Sequence, residues 1–395
     1  MKITRVNVHL MQAGAPTHTA WGGAGKSALA SGRNWLFAEI HTEEGLVGLG
    51  EGSGWPRVVA AALPDLAPLL VGEDAFQTER LHQKLRVATM GHGHLGVVGG
   101  GALAAIDTAL WDIKAQALGR PLCDLLGGRV RDRVPYYAHV KDADTARAAV
   151  ARGVRALKVG GTRQIVERAW AIREAIGPDV DLIVDLHGPA WLTGADAVAV
   201  GRALEGTNLL FLEEPVAPDD ALGWRRVRDS VALPLASGER LGTLAEFDQL
   251  IGSGLVDVVQ PDTGRTGGPT QLKKIAALAE ARALLVAPHS GSLGPVAEFA
   301  AVHWMAASPT GLILERLEPD WDGKQAAVTR SLQASDGYID VPAEPGLGTS
   351  LDHAFVAAHP SERNIALPAG GWEPGTEHEI PYLQARRSRA RLTDR

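Results

Sequence analysis

Seven short apolar runs, each ended by a polar residue, recur along this chain at a nearly constant interval. They read "RALKVG", "DLIVDLHG", "LLFLEEP", "LPLASGER", "VDVVQPD", "LLVAPHS" and "GLILERLE". The polar residues that close them are Lys158, Asp185, Glu213, Glu239, Asp262, His289 and Glu315, with gaps of 27, 28, 26, 23, 27 and 26 residues. An interval of that size holds one strand, one helix and their turns. The stretches between, such as "IVERAWAIREAIG" and "TQLKKIAALAEARA", carry apolar residues at helical spacing. With "RVPYYAHV" at 133–140 there are eight strands in about 180 residues. Eight such units close naturally into a parallel barrel, whose functional side chains gather at the C-terminal strand ends. An open doubly wound sheet would alternate too, but no G-x-G-x-x-G follows a first strand to support one.

The flanks follow other patterns. Val6, Val8 and Leu10 alternate as in a strand, and "NWLFAEIHTEEGLVGLGE" reads as a hairpin turning near Glu44 and Gly45. "GALAAIDTALWDIKAQALG" is helical from about Ala102 and is stopped by Gly119 and Pro121. Two glycine-rich segments, "TAWGGAGKSALASG" and "MGHGHLGVVGGG", read as mobile loops rather than core. Beyond residue 330, "GYIDVPAEPGLGTSLD" reads as a strand, a turn and a return, and "LQARRSRARLTDR" as a solvated, flexible basic tail. The expected division is an α+β cap over 1–130, a barrel over 131–328, and a segment over 329–395 that completes the cap.

A formal net charge of −7 offers no general attraction to nucleic acid or an anionic membrane surface, so any anion site must be built locally. The single cysteine, Cys123 in "RPLCDLLGG", rules out an intramolecular disulfide and reads as a small packed apolar residue. The N-terminus lacks a signal-peptide core, and no window reaches about 18 uninterrupted apolar residues. A soluble, cytoplasmic protein is expected.

The strand ends carry the chemistry. In "LIVDLHG", Asp185 and His187 fall on one side of an extended chain. Taken alone, such an acid reads as one half of a salt bridge. Asp185, Glu213 and Glu239, however, end three consecutive strands and converge near the barrel axis. Three like charges there repel unless a cation neutralises them, and oxygen-only donors favour Mg²⁺ first and Mn²⁺ second. Three separate ion pairs with barrel lysines or arginines are the competing arrangement. Asp262 and His289 end the next two strands. A carboxylate on one ring nitrogen fixes the tautomer and leaves the other as a general base. Lys158 approaches from the strand before Asp185, and Glu315 ends the last run.

Taken together, "VDLHG", "FLEEP", "ASGER", "QPD" with its following "GG", "APHS" and "LILERLE" closely resemble the mandelate racemase subgroup of the enolase superfamily. "TALWDIKAQALGRPLCDLLGG" and "PGLG" match the same family, so the resemblance spans nearly the whole chain. It implies an α/β fold, a TIM-like (β/α)7β barrel under an α+β capping domain built from both chain ends. It also implies removal of the proton α to a carboxylate, with Mg²⁺ stabilising the enolate charge. Carried over by motif, the metal ligands are Asp185, Glu213 (the first acid of "EEP", not Glu214) and Glu239. Asp262 and His289 are the base dyad, and Glu315 hydrogen-bonds the substrate carboxylate.

One departure bears on the reaction. Racemases of the subgroup carry Lys-x-Lys on the second strand, whereas "ALKVGG" puts Gly160 where the second lysine would stand. Lys158 then reads as a contact to the substrate carboxylate or a metal ligand, with a base role as the alternative. His187 gains weight as the acid that protonates a departing C3 hydroxyl; orienting Asp185 is its other role. The Asp-x-His pattern resembles the galactonate dehydratase branch. The expected activity is therefore a hydro-lyase acting on a sugar acid, an aldonate or aldarate, to give a 2-keto-3-deoxy acid. A racemase, epimerase or cycloisomerase using Lys158 or His187 as a second base is the first alternative, and a non-catalytic ligand-binding descendant the second. His18, Trp21 and Lys26, with the His92–His94 segment, are expected to close over the barrel mouth. Four glycines around the two histidines favour a loop role for them over a metal site. His139 and Lys141 are placed to meet distal hydroxyls. The expected partner is a small carboxylate, bound by a homo-oligomer.

Overall fold

The structure, a computed structural model, describes residues 1–12, 34–91, 96–162, 164–186, 191–291, 293–317 and 324–361. Strands β1 (Ile3–Gln12), β2 (Asn34–Thr42) and β3 (Val47–Gly52) form an antiparallel sheet in that order. Alternation assigns the two faces of β2. Leu36, Ala38 and Ile40 join a cap core with helices α1 (Pro56–Leu66), α2 (Thr78–Met90) and α3 (Gly96–Ala117). Trp35 and Phe37 face the other way and join Met11 in the core shared with the barrel. The hairpin turns where the sequence indicates, with Gly45 at φ 84°.

The glycines of "VGLGEG" have a steric purpose. Gly48, Gly50 and Gly52 share one face of β3, and a Cβ there would lie 2.0, 1.9 and 2.5 Å from the carbonyls of Ala109, Ala105 and Gly101. The strand therefore lies directly on the backbone of α3. That helix is buried continuously from Gly100 to Ile113, as expected of a helix apolar on every side. It is long and apolar enough to cross a membrane, but most of it is enclosed by the protein.

The "GVVGGG" stretch departs from the loop expectation, because α3 starts at Gly96, about two turns before Ala102. At Gly100 a Cβ would sit 2.0 Å from Arg265 O, and at Gly101 2.1 Å from Ser53 O. These glycines let a helix touch two backbones at once; they do not loosen a loop. The other glycine-rich segment, and His92 and His94, lie outside the described residues.

After α4 (Leu122–Leu126) come β4 (Arg133–Val140), α5 (Ala143–Ala151), β5 (Ala156–Gly160), α6 (Ile165–Ile176), β6 (Asp181–Asp185), α7 (Gly194–Leu204) and β7 (Leu209–Glu213). Then follow α8 (Ala221–Arg228), β8 (Leu235–Ser237), α9 (Leu244–Gly252), β9 (Val258–Val259), α10 (Gly268–Glu280), β10 (Leu285–Val286), α11 (Pro295–Ala307) and β11 (Leu314–Arg316). Side-chain caps start several helices: Asp142 accepts from Thr145 N, Thr193 from Asp196 N, and Thr243 pairs with Glu246 in a capping box. The strands pair in parallel from β10 back to β4, and β11 pairs with β4. A parallel bridge between Val286 and Gly311 closes the ring. This is the expected (β/α)7β barrel with its α+β cap. A short hairpin, β12 (Ala334–Ser335) and β13 (Tyr338–Asp340), adds antiparallel to β4, and α12 (His353–Ala358) returns to the cap.

Buried acids join cap to barrel. Glu51 accepts from Gly294 N and Ala297 N at the start of α11, and Asp107 accepts from Thr270 N at 2.8 Å. Asp112 holds Leu347 N of "PGLG" at 2.7 Å. Burial raises all three to about 7, against the amides that stabilise their charge. We expect Gly50→Ala to cost about 1–3 kcal/mol, because its Cβ has only rigid backbone to displace. Urea denaturation measures this, and an unchanged midpoint would refute the close approach.

Candidate active site

The barrel interior explains how the strand ends converge. Tyr137, Ala156, Ile183, Phe211, Ala236, Val258, Ala287 and Ile313, one from each strand position, form a separate apolar core inside the ring. Two residues further along, alternation turns the next side chain to the same interior. Tyr137 leads to His139, Ala156 to Lys158, Ile183 to Asp185, Phe211 to Glu213, Ala287 to His289 and Ile313 to Glu315. Each is buried or nearly so, and together they form a polar layer resting on an apolar floor. Lys158 lies within β5 rather than at its end, because β5 continues to Gly160.

Glu239 breaks the phase. Two residues after Ala236 stands Gly238, at φ 137°, a conformation that L side chains rarely adopt. The kink turns Glu239, three residues on, toward the ring of His289.

Lys158 is at the centre of the charge. Its Nζ lies 3.0 Å from Asp185 Oδ2, 3.0 Å from Glu213 Oε1 and 2.9 Å from Glu315 Oε1, and 5.4 Å over the Tyr137 ring. Burial opposes its charge, yet the three carboxylates raise it well above the usual lysine range. Burial and then Asp185 push Glu213 well above the usual carboxylate range despite Lys158. The donor set Asp185, Glu213 and Glu239 is all oxygen, buried and crowded with negative charge. Those features fit a hard divalent cation.

His289 Nδ1 is 2.6 Å from Asp262 Oδ2, and its Nε2 lies 3.2 Å from Glu239 and 3.6 Å from Glu315. Asp262 is held in turn by Gly264 N at 2.8 Å and Arg265 Nε at 3.2 Å. Burial works against protonation of His289, but Glu239, Glu315 and the Asp262 bond outweigh it and raise its pKa. Glu315 accepts from Ser290 N and Gly291 N, both at 2.8 Å, and His139 Nε2 lies 2.6 Å from its other oxygen. Burial resists ionisation of Glu315, but Lys158, His289 and His139 hold it well below the usual range. So arranged, Glu315 accepts hydrogen bonds from two backbone amides and holds Lys158 and His139 beside it.

Of the other anticipated residues, Lys141 is exposed just past β4, and His18, Trp21 and His187 lie outside the described residues. Residues not anticipated also enter the site. Gln260 continues the inward phase between Val258 and Asp262, and its buried amide has no hydrogen-bond partner among the described residues. Arg240 pairs with Glu239 and with Glu214, whose φ of 42° turns it away from the phase of Glu213. The alternation that placed His139 was a usable signal for Tyr137 and Gln260; nothing local marked Arg240.

Residues 2–127 match the family described as mandelate racemase / muconate lactonizing enzyme, N-terminal domain, and residues 141–355 match an enolase C-terminal domain-like family. The chain belongs to the mandelate racemase/muconate lactonizing enzyme family. A D-galactonate dehydratase from Ralstonia nicotianae is 35% identical over 362 residues, 85% of this chain and 92% of that protein. One from Xanthomonas axonopodis pv. citri is 36% identical over 349 residues, 82% of this chain and 90% of its own length. Among solved structures, the 3,6-anhydro-D-galactonate cycloisomerase of Zobellia galactanivorans superposes with a TM-score of 0.82 at 29% identity, covering 91% of this chain and 99% of that one. A mandelate racemase/muconate lactonizing enzyme from Jannaschia sp. gives 0.81 at 30% identity, covering 92% and 99%.

In this family member, two glycines of the site differ in kind. At Gly160 a Cβ would meet only Asp185 O, at 3.9 Å, whereas at Gly238 it would meet Gln260 N and the Phe247 ring at 3.0 Å with φ positive. Gly238→Ala should cost about 1–3 kcal/mol of stability. Gly160→Ala should leave the urea midpoint unchanged. Equal behaviour of the two variants would overturn this account of Glu239.

Proposed function

We propose that this enzyme is a divalent-metal-dependent dehydratase of a sugar acid, an aldonate or aldarate. The observation that carries the reading is a one-sided base. His289, fixed by Asp262, presents Nε2 to the carboxylate cluster, while Gly160, beside Asp185 in register, leaves the position of a second lysine empty of any side chain. Its identity of 35–36% to D-galactonate dehydratases supports the same reading.

His289 Nε2 takes the proton from C2, and the electron pair passes into the carboxylate to form the enolate. Asp185, Glu213 and Glu239 would hold a divalent ion, Mg²⁺ first and Mn²⁺ second, which would supply positive charge to offset the enolate's second negative charge. Lys158 and His139, oriented by Glu315, donate to the substrate carboxylate. The C3 hydroxyl leaves as water after taking a proton from an acid, the role we assign to His187. The enol then gains a proton at C3 and becomes a 2-keto-3-deoxy acid. One water is lost and no redox partner is needed.

A panel of aldonates and aldarates with Mg²⁺ in D₂O tests the reaction. We expect a 2-keto product one water lighter, with deuterium at C3. Deuterium at C2 of unchanged substrate, with inversion, would make the enzyme an epimerase. The likeness to a cycloisomerase structure gives a second reading, for which the product would be isomeric with the substrate. His289→Asn should lower turnover by roughly 10²–10⁴-fold while leaving Mg²⁺ binding in place. Full activity in that variant would remove His289 as the base.

A further inference from the structure

We propose that His9, Glu39 and His353 form a second metal site, for a borderline divalent ion such as Zn²⁺, which ties the C-terminal helix to the cap sheet. His9 on β1 and Glu39 on β2 are diagonal neighbours on one face of the sheet, since His9 pairs with Phe37 and Asn7 with Glu39. His353 opens α12 and arrives from the opposite end of the chain. His9 Nε2 lies 2.9 Å from Glu39 Oε2, and His353 Nε2 lies 3.2 Å from Glu39 Oε1. One ligand atom from each of the three residues lies within 4.8 Å of the others. Four-coordinate zinc, with ligand bonds of about 2.0–2.2 Å, places its donors roughly 3.3–3.6 Å apart, so small side-chain rotations complete the set.

The charge balance asks for such an ion. Glu39 is 5% exposed, and its ion pairs among the described residues are all with imidazoles, His9, His41 and His353. A buried carboxylate needs positive charge beside it, and an imidazole supplies that only when protonated. A divalent ion supplies it while the rings stay neutral, which is the form that ligates. His41 is engaged by Asn7 Nδ2 at 3.0 Å and Arg5 at 3.3 Å, so it supports the set from outside. Two nitrogen donors and one oxygen donor favour zinc over magnesium, in contrast to the oxygen-only cluster in the barrel.

Access is available. The His353 side chain is 61% exposed, and with Glu39 and His41 it lines a groove of about 750 Å³ that also reaches Thr329, Arg330 and Glu344. Backbone contacts already bring the helix here, with Gln12 N donating to His359 O at 2.9 Å and Met11 bridging to Pro360. An ion would add a bond between the two ends of the chain at the same seam.

The test uses the full-length protein with the barrel site saturated by Mg²⁺, titrated with Zn²⁺ by calorimetry and with Co²⁺ by visible absorption. One equivalent of each should bind, with Co²⁺ giving the intense bands of a four-coordinate ion. His353→Ala should weaken binding by more than about 100-fold, beyond the loss of an outer-shell partner, and should leave turnover of the Mg²⁺ form unchanged. His353 is largely exposed, so this variant keeps the fold; His9→Gln serves as a second ligand deletion. Glu239→Gln should leave Zn²⁺ affinity as it is. The absence of stoichiometric binding, or binding lost in Glu239→Gln but kept in His353→Ala, would overturn the proposal.

Discussion

Charge held on an apolar floor governs this molecule. Five strand-end carboxylates, Asp185, Glu213, Glu239, Asp262 and Glu315, are buried within one ring above a largely apolar floor. Lys158 bridges three of them, while His289 and Arg265 address the rest. Burial makes each interaction stronger than it would be in water, and makes each unmatched charge more costly. The same crowding that resists folding around acids alone is what a divalent cation would relieve. The remainder of the fold serves to keep these groups in register.

The cap contributes by direct backbone contact. Gly48, Gly50, Gly52, Gly100 and Gly101 remove side chains where α3 passes between the sheet and the barrel. From this close seam Glu51 reaches the amides that open α11, the helix following the His289 loop. Ser53 N donates to Gly264 O at 2.7 Å, on the turn whose amide holds Asp262. The cap thus steadies both halves of the Asp262–His289 pair through backbone contacts.

Much of this was legible in the residues. The interval between strand ends, the hairpin, and the inward sense of His139, Lys158, Asp185, Glu213, His289 and Glu315 all follow from a period of two within strands and one unit per 23 to 28 residues. Glycine was the residue most easily misread. "GVVGGG" looked like a loop because glycine disfavours helices in isolation, yet tertiary contact with Arg265 and Ser53 leaves room for nothing larger. Gly238 was equally opaque, since its left-handed backbone matters only because Glu239 must turn back toward His289. Arg240 carries no such mark, because its pairing with Glu214 spans two different strand ends.

The sequence by itself determined the barrel, the order of its chemical groups and the absence of a second lysine at Gly160. Those properties depend on local alternation and on residue identity, which a linear text preserves. How the charges are matched came only from the fold: Lys158 among three acids, Glu315 held by the amides of Ser290 and Gly291, and His9 with Glu39 and His353 gathered from distant parts of the chain. Electrostatic partnership depends on distance through the fold, and distance along the chain carries no record of it.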